Sequence, residues 1–224
     1  MRINYIPAKK QMFATINFGV MYNFYAANGP ISPAGWHLPS QAEWETLSAT
    51  LGGDAISAMH MKEATFLHWL DPVFPVSADN TSGLSMKGGG RRDWSGTPFD
   101  GLMQQGWYWT ADINNMYSTQ IAMMMYNSPN ISFIAGDPNY GFSIRLVKDD
   151  SVDTGSMIDY DGNVYPTKLV GSQVWMADNL IVQHYNTGIV IPNIVTDASW
   201  AANEAWMGKT EGALCAYNND WSKV

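Results

Sequence analysis

The chain has 224 residues, enough for one large domain or two small ones around a sizeable core. Charged residues make up only 14% and aromatics 13%, with 20 Gly and 11 Pro, which excludes a disordered chain and does not suit a helical bundle; a loop-rich β or α+β domain fits. The net charge is −8, with no basic run of the kind that tracks a phosphate backbone, so nucleic acid is excluded as the expected partner.

In chain order, the opening stretch carries Lys9 and Lys10 but no apolar run of signal-peptide length behind them. No stretch approaches the ~20 apolar residues of a membrane-spanning helix, so no membrane insertion is expected. The chain then reads as made and folded in the cytoplasm, reaching any outside location by another route, such as a virus particle released by lysis. Ser40-Gln41-Ala42-Glu43 is a capping box, followed by Trp44, Leu47 and Leu51 on one helical face and by Gly52-Gly53 as a left-handed stop. A second helix is expected from an Asp54 cap to about Ala64, with Ile56 and Met59 inward. Trp107–Thr110, Gln120–Tyr126, Ile131–Ile134 and Phe142–Val147 read as strands.

Asp149 to Gly155 is polar and aperiodic, the one obvious linker, and it opens an acidic third of the chain: residues 148–224 hold four Lys or Arg against ten Asp or Glu. Asp161-Gly162 signals a type I′ hairpin between Met157–Tyr160 and Asn163–Leu169, and Gly171-Ser172 turns the chain into Gln173–Met176. A short helix carrying Trp200 is expected from Asp197.

Two stretches carry a family resemblance. Asp161-Gly162-Asn163-Val164-Tyr165 through Thr167, Gly171, Gln173, Trp175-Met176-Ala177 and Asn179-Leu180, continuing to Tyr217-Asn218-Asn219-Asp220, resembles the opening signature of the Fibrobacter succinogenes major paralogous domain. The other half of that family is similar to Tyr22–Ala26, Gly35-Trp36-His37-Leu38-Pro39-Ser40, Glu43-Trp44, Leu51-Gly52-Gly53, Trp107–Ala111 and Gly141–Arg145. The resemblance implies an α+β, C-type-lectin-like fold: two helices against small antiparallel sheets with long loops, as in bacterial surface and phage receptor-binding proteins. The halves stand in swapped order, so the chain reads as a circular permutant. Residues 1–16 are then an extension or anchor, 17–147 the family's C-terminal half, 148–156 the linker and 157–224 its N-terminal half. If the first and last strands of such a fold pair, a short linker can join them, either within one chain or by a swap between neighbouring chains.

Catalytic constellations are nearly absent, and no enzyme is expected. The four His, at 37, 60, 68 and 184, lack HxxxH or HExxH spacing, and His37 reads as structural. No GxSxG, P-loop or GxGxxG occurs. One cysteine, Cys215, excludes an internal disulfide and a Cys-based zinc site, and it excludes the formylglycine-generating oxidases of this fold, which need a cysteine pair. No cofactor is expected. Calcium would need converging oxygens; Asp149, Asp150, Asp153, Asp159 and Asp161 could gather around an ion, but a solvated linker is the plainer account. Trp36, Trp44, Trp107, Trp109 and Trp175 read as core, whereas Trp94 and Trp221 are freer to be exposed.

In C-type-lectin-like domains the long loops before the last strands form the ligand face. Here they offer Arg91, Arg92, Trp94, Asn114, Asn115, Tyr117, Tyr126, Asn127, Asn130, Asp137, Asn139 and Tyr140. Tyr and Asn combine rigid amphipathic area with adaptable hydrogen bonding, although Asn and Ser are also ordinary turn residues. Diversity-generating retroelements vary such codons ahead of a final strand similar to Gly141-Phe142-Ser143-Ile144-Arg145. The expected function is non-catalytic recognition of a host-surface glycan or protein by a phage decoration, fibre or receptor-binding protein. A fibre role would imply a homotrimer, with residues 1–16 meeting other virion proteins. The alternatives are a purely structural virion component or a bacterial surface module.

Overall fold

The structure is a computed structural model, and it describes residues 17–71, 78–94, 99–115, 117–196, 200 and 211–224. The extension 1–16 and the helix start at Asp197 lie outside the described residues.

In chain order the elements are β1 (Met21–Tyr22), α1 (Phe24–Ala27), β2 (Trp36–His37), α2 (Gln41–Thr50), α3 (Ser57–Met61), β3 (Gly89–Arg91), β4 (Asp100–Leu102) and β5 (Gln105–Asn115). They continue as β6 (Ser118–Met125), β7 (Ile131–Gly136), β8 (Val147–Lys148), β9 (Ser156–Ile158), β10 (Val164–Val170), β11 (Gln173–Met176) and β12 (Leu214–Cys215). The strands form a β1–β12 pair and two five-stranded sheets, ordered β2-β8-β11-β10-β9 and β4-β3-β5-β6-β7. The domain is therefore mostly β with short helices, consistent with an α+β class. Among the described residues no helix is long and apolar enough to cross a membrane.

The expected capping box forms in full. Ser40 Oγ accepts from the Glu43 N–H, and the Glu43 carboxylate accepts from the Ser40 N–H at 2.8 Å. Gly52 and Gly53, with φ of +97° and +94°, end the helix as only residues without a Cβ do at no steric cost. The second helix is shorter than expected. Asp54 does not cap it, because its carboxylate accepts from Ser48 Oγ at 2.5 Å instead. Its inner face is Ala58 and Met61, while Ile56 is exposed.

Phe142–Val147 is not one strand. Phe142 and Ser143 make isolated bridges to Tyr22 and Tyr108, and only Val147–Lys148 joins a sheet ladder. The 159–163 hairpin is also not type I′. Only Gly162, at φ +82°, lies in the left-handed region; Gly162 N–H donates to Asp159 O, and Asp159 N–H to Asn163 O. That is a three-residue loop in which a left-handed glycine follows an ordinary turn.

Segments 17–148 and 156–224 interlock. β8 pairs β11, β1 pairs β12, and Phe18 N–H donates to Lys223 O at 2.7 Å. β8 and β9 do not pair, since β11 and β10 lie between them, so the expected pairing of the first and last strands does not occur. Buried Arg145 donates to Asn179 Oδ1 and to the Leu84, Ser85 and Met176 carbonyls, and Lys87 meets Asp178 at 2.6 Å.

Both large core clusters draw on both segments. One gathers Tyr22, Trp109, Phe142, Tyr165, Met176 and Leu214; the other gathers Trp44, Leu47, Tyr108, Val147 and Trp175. Trp44, Trp109 and Trp175 are fully buried and Trp107 nearly so, as expected. Trp36 is only half-buried, and Trp221, read as freer to be exposed, is partly buried against the first cluster.

Candidate functional site

The sequence candidates separate into three groups. β5 and β6 form a long hairpin whose lower rungs, Trp107↔Met123 to Trp109↔Ile121, stand on the core. Its far end carries Asn114, Asn115 and Tyr117, all exposed, Tyr117 by 55%. Asn115 Oδ1 accepts from the Tyr117 N–H at 2.9 Å, and Asn114 Nδ2 donates to Ser118 Oγ at 3.2 Å. These bonds, with that of Gln120 Nε2 to Asn114 Oδ1, are local, so among the described residues the end is tied to its own strand pair and not to the core.

Tyr126, Asn127 and Asn130 lie in the turn between β6 and β7, at the other end of β6. Eight strand residues separate the two ends by roughly 23 Å, so the two groups do not form one patch. This second turn is pinned from below. Lys62, 1% exposed, donates to Met125 O at 2.9 Å and Ser128 O at 2.8 Å, with its ammonium 5.4 Å from the Trp69 ring. Burial pushes its pKa down to about 8, although carbonyl acceptors favour the charged form. Asn127 and Asn130 remain exposed; Tyr126 is half-buried against the second core cluster.

The third group divides front from back. Arg91 meets Asp100 through Nε and Nη2, at 2.9 and 3.1 Å, and its guanidinium lies 5.1 Å from the Trp107 ring and 5.2 Å from that of Tyr140. Tyr140 stacks on Phe142 at 5.3 Å, so it is half-spent on packing. Arg92 and Asn139 are corrections: both are buried, at 0% and 4% exposure, and neither can meet a ligand. Arg92 sits between the Trp200 and Phe99 rings and donates to Ile194 O, while the Asn139 carbonyl accepts from Trp200 Nε1 at 2.7 Å. Asp137 is committed to holding Asn139, accepting from its N–H and its Nδ2, each at 2.8 Å. Trp94 is 38% exposed, as expected.

The acidic run does not converge. Asp149 faces His37, Asp150 accepts from Lys148 and the Val152 N–H, and Asp153 accepts from Thr167 and the Gly155 N–H. Asp159 serves Tyr165 and Asn163, and Asp161 serves His184 and the Gln183 N–H. Each carboxylate closes its own turn or faces its own histidine. All four histidines lie against carboxylates, His60 on Asp79 and His68 on Glu63 included.

One concavity was missed in the sequence. A cleft of about 400 Å³ is lined by Ala27, Asn28, Gly29, Ser32, Trp36, His37, Leu38 and Ala111. At its edge His37 Nδ1 lies 2.6 Å from Asp149 Oδ1 and Nε2 lies 2.8 Å from Glu43 Oε1. Both ring nitrogens facing carboxylates calls for the imidazolium. Partial burial opposes that charge, but the Glu43 and Asp149 bonds outweigh it and raise the His37 pKa. No sequence signal marks this cleft, because its walls come from residues 27–38 and from Ala111 on β5.

A mostly β domain with an exposed polar and aromatic hairpin end is the class that fold and surface define. The family model of the Fibrobacter succinogenes major domain matches residues 3–148, and the chain belongs to that family. The match begins inside the segment read as an extension and stops where the acidic third begins, so the stretch 157–224, read as the other half of the family, lies outside it. No curated protein matches the chain, and no solved structure does.

Proposed function

We propose that the chain is a non-catalytic recognition module of C-type-lectin-like architecture that engages a host-surface glycan or protein without a metal, from a phage particle or a bacterial cell surface. The observation that carries the reading is the β5–β6 hairpin: core-packed at its base and exposed at its end, where Asn114, Asn115 and Tyr117 stand together. Recognition usually sits on loops held by a rigid scaffold, and this residue mixture suits it. The permuted order of the two halves belongs to the same proposal. It is supported by the resemblance of Asp161–Asp220 to the family's opening signature and by the way the two segments share one core.

The test is binding of purified protein to host cells and a glycan panel, beside two triple variants. Asn114→Ala/Asn115→Ala/Tyr117→Ala is expected to weaken binding at least tenfold with its melting temperature unchanged. Tyr126→Ala/Asn127→Ala/Asn130→Ala is expected to bind nearly as wild type. No binding by the wild type at any avidity would favour a purely structural role in a virion, and the search would move to its assembly partners. A melting temperature that rises when calcium follows chelation would overturn the metal-free part of the reading.

A further inference from the structure

We infer that the cleft beside β2 is a second binding site, built for a neutral saccharide unit. Its volume, about 400 Å³, falls at the small end of the roughly 300–1,000 Å³ range of small-ligand sites. Trp36 supplies an aromatic wall, and Leu38 and Ala111 an apolar floor. Around them the Asn28 amide, the Ser32 hydroxyl and the Trp36 indole N–H make no hydrogen bond among the described residues. An aromatic and aliphatic surface rimmed by uncommitted donors and acceptors matches a sugar, which presents C–H faces and a hydroxyl edge.

The surrounding charge selects against acids. The His37 cation is already matched by Glu43 and Asp149, which leaves one negative charge in excess, and Asp112 stands close by with its carboxylate on the Gln41 N–H at 2.5 Å. A phosphate or carboxylate ligand would meet that excess, whereas a neutral glycoside would not. The clamp also fixes the His37 ring from both nitrogens, so this wall is preorganised and loses little freedom on binding.

The site rests on the recognition reading only in part. Ala111 places it on the same strand that leads to Asn114 and Asn115, yet none of the three hairpin residues lines it. The two can therefore fail separately.

The experiment is saturation-transfer NMR of the full chain with a panel of neutral methyl glycosides of hexoses and N-acetylhexosamines. At least one glycoside is expected to receive saturation, and Asn28→Ala/Ser32→Ala is expected to weaken it tenfold or more. Asn28 is exposed, and Ser32 meets Asn186 through its backbone carbonyl, so this variant keeps the fold, as its melting temperature checks. The hairpin variant Asn114→Ala/Asn115→Ala/Tyr117→Ala should bind the glycoside as wild type. Absence of saturation from every glycoside, or unchanged binding in a folded Asn28→Ala/Ser32→Ala variant, overturns the cleft. Cell binding without glycoside binding would sink the cleft and spare the recognition reading; glycoside binding without cell binding would do the reverse.

Discussion

The two turns that flank β6 share a composition and differ in what lies beneath them. The 114–117 end is held by its own side chains, through Asn115 to the Tyr117 N–H and Asn114 to Ser118. The 126–130 turn is held by a buried cation, Lys62, which occupies its carbonyls. Asn and Tyr in a loop thus mean different things according to whether the core reaches up to fix the backbone. A turn tied to a buried charge is part of the scaffold, and a turn tied only to itself can be substituted without penalty to the fold.

The largest break in that comparison is Lys62→Met. It removes the donor to two carbonyls while keeping the apolar stem, and it should lower stability by about 2–4 kcal/mol in urea unfolding. A loss below about 0.5 kcal/mol would mean that the turn is not pinned.

The same side chain gives a pH signature. Its folded pKa of about 8 lies below the model-peptide value near 10.4, so between those values the unfolded chain binds more protons and stability rises with pH. The wild type should gain up to roughly 3 kcal/mol across that window relative to Lys62→Met. Parallel curves for the two proteins would refute the shift.

A smaller effect tests the His37 clamp. A base whose folded pKa is raised contributes stability in full below its unfolded value, near 6.5, and loses it as pH rises through the folded value. With its side chain 40% exposed, the clamp is worth under about 1 kcal/mol, read as a slope above pH 6.5 that His37→Gln removes. The smallest change belongs to the hairpin end, where each of Asn114→Ala, Asn115→Ala and Tyr117→Ala should move stability by no more than about 0.5 kcal/mol.

Arg91 and Arg92 show where sequence reading ran out. Both are arginines in one polar stretch, and both look like surface donors. Strand alternation turns Arg91 toward Asp100 and the Tyr140 ring and sends Arg92 under Trp200, a residue more than 100 positions away. No local pattern records that partner. Asn139 is a similar case: Asp137 holds it locally, but the Trp200 indole N–H that its backbone carbonyl receives comes from 61 positions away.

What the sequence determined by itself was what short-range chemistry decides. The capping box at Ser40 and Glu43, the left-handed Gly52-Gly53 stop, the Gly171-Ser172 hairpin and the buried Trp44, Trp109 and Trp175 all follow from spacing and from apolar area, as does the family. Only the tertiary structure decided that the acidic Asp residues disperse, that Lys62 and Arg145 serve distant carbonyls, and that residues 27–38 meet Ala111 around a cleft. The reason is the range of the forces involved. A cap or a turn is settled within four residues, whereas a buried cation takes whichever carbonyls the fold brings to it.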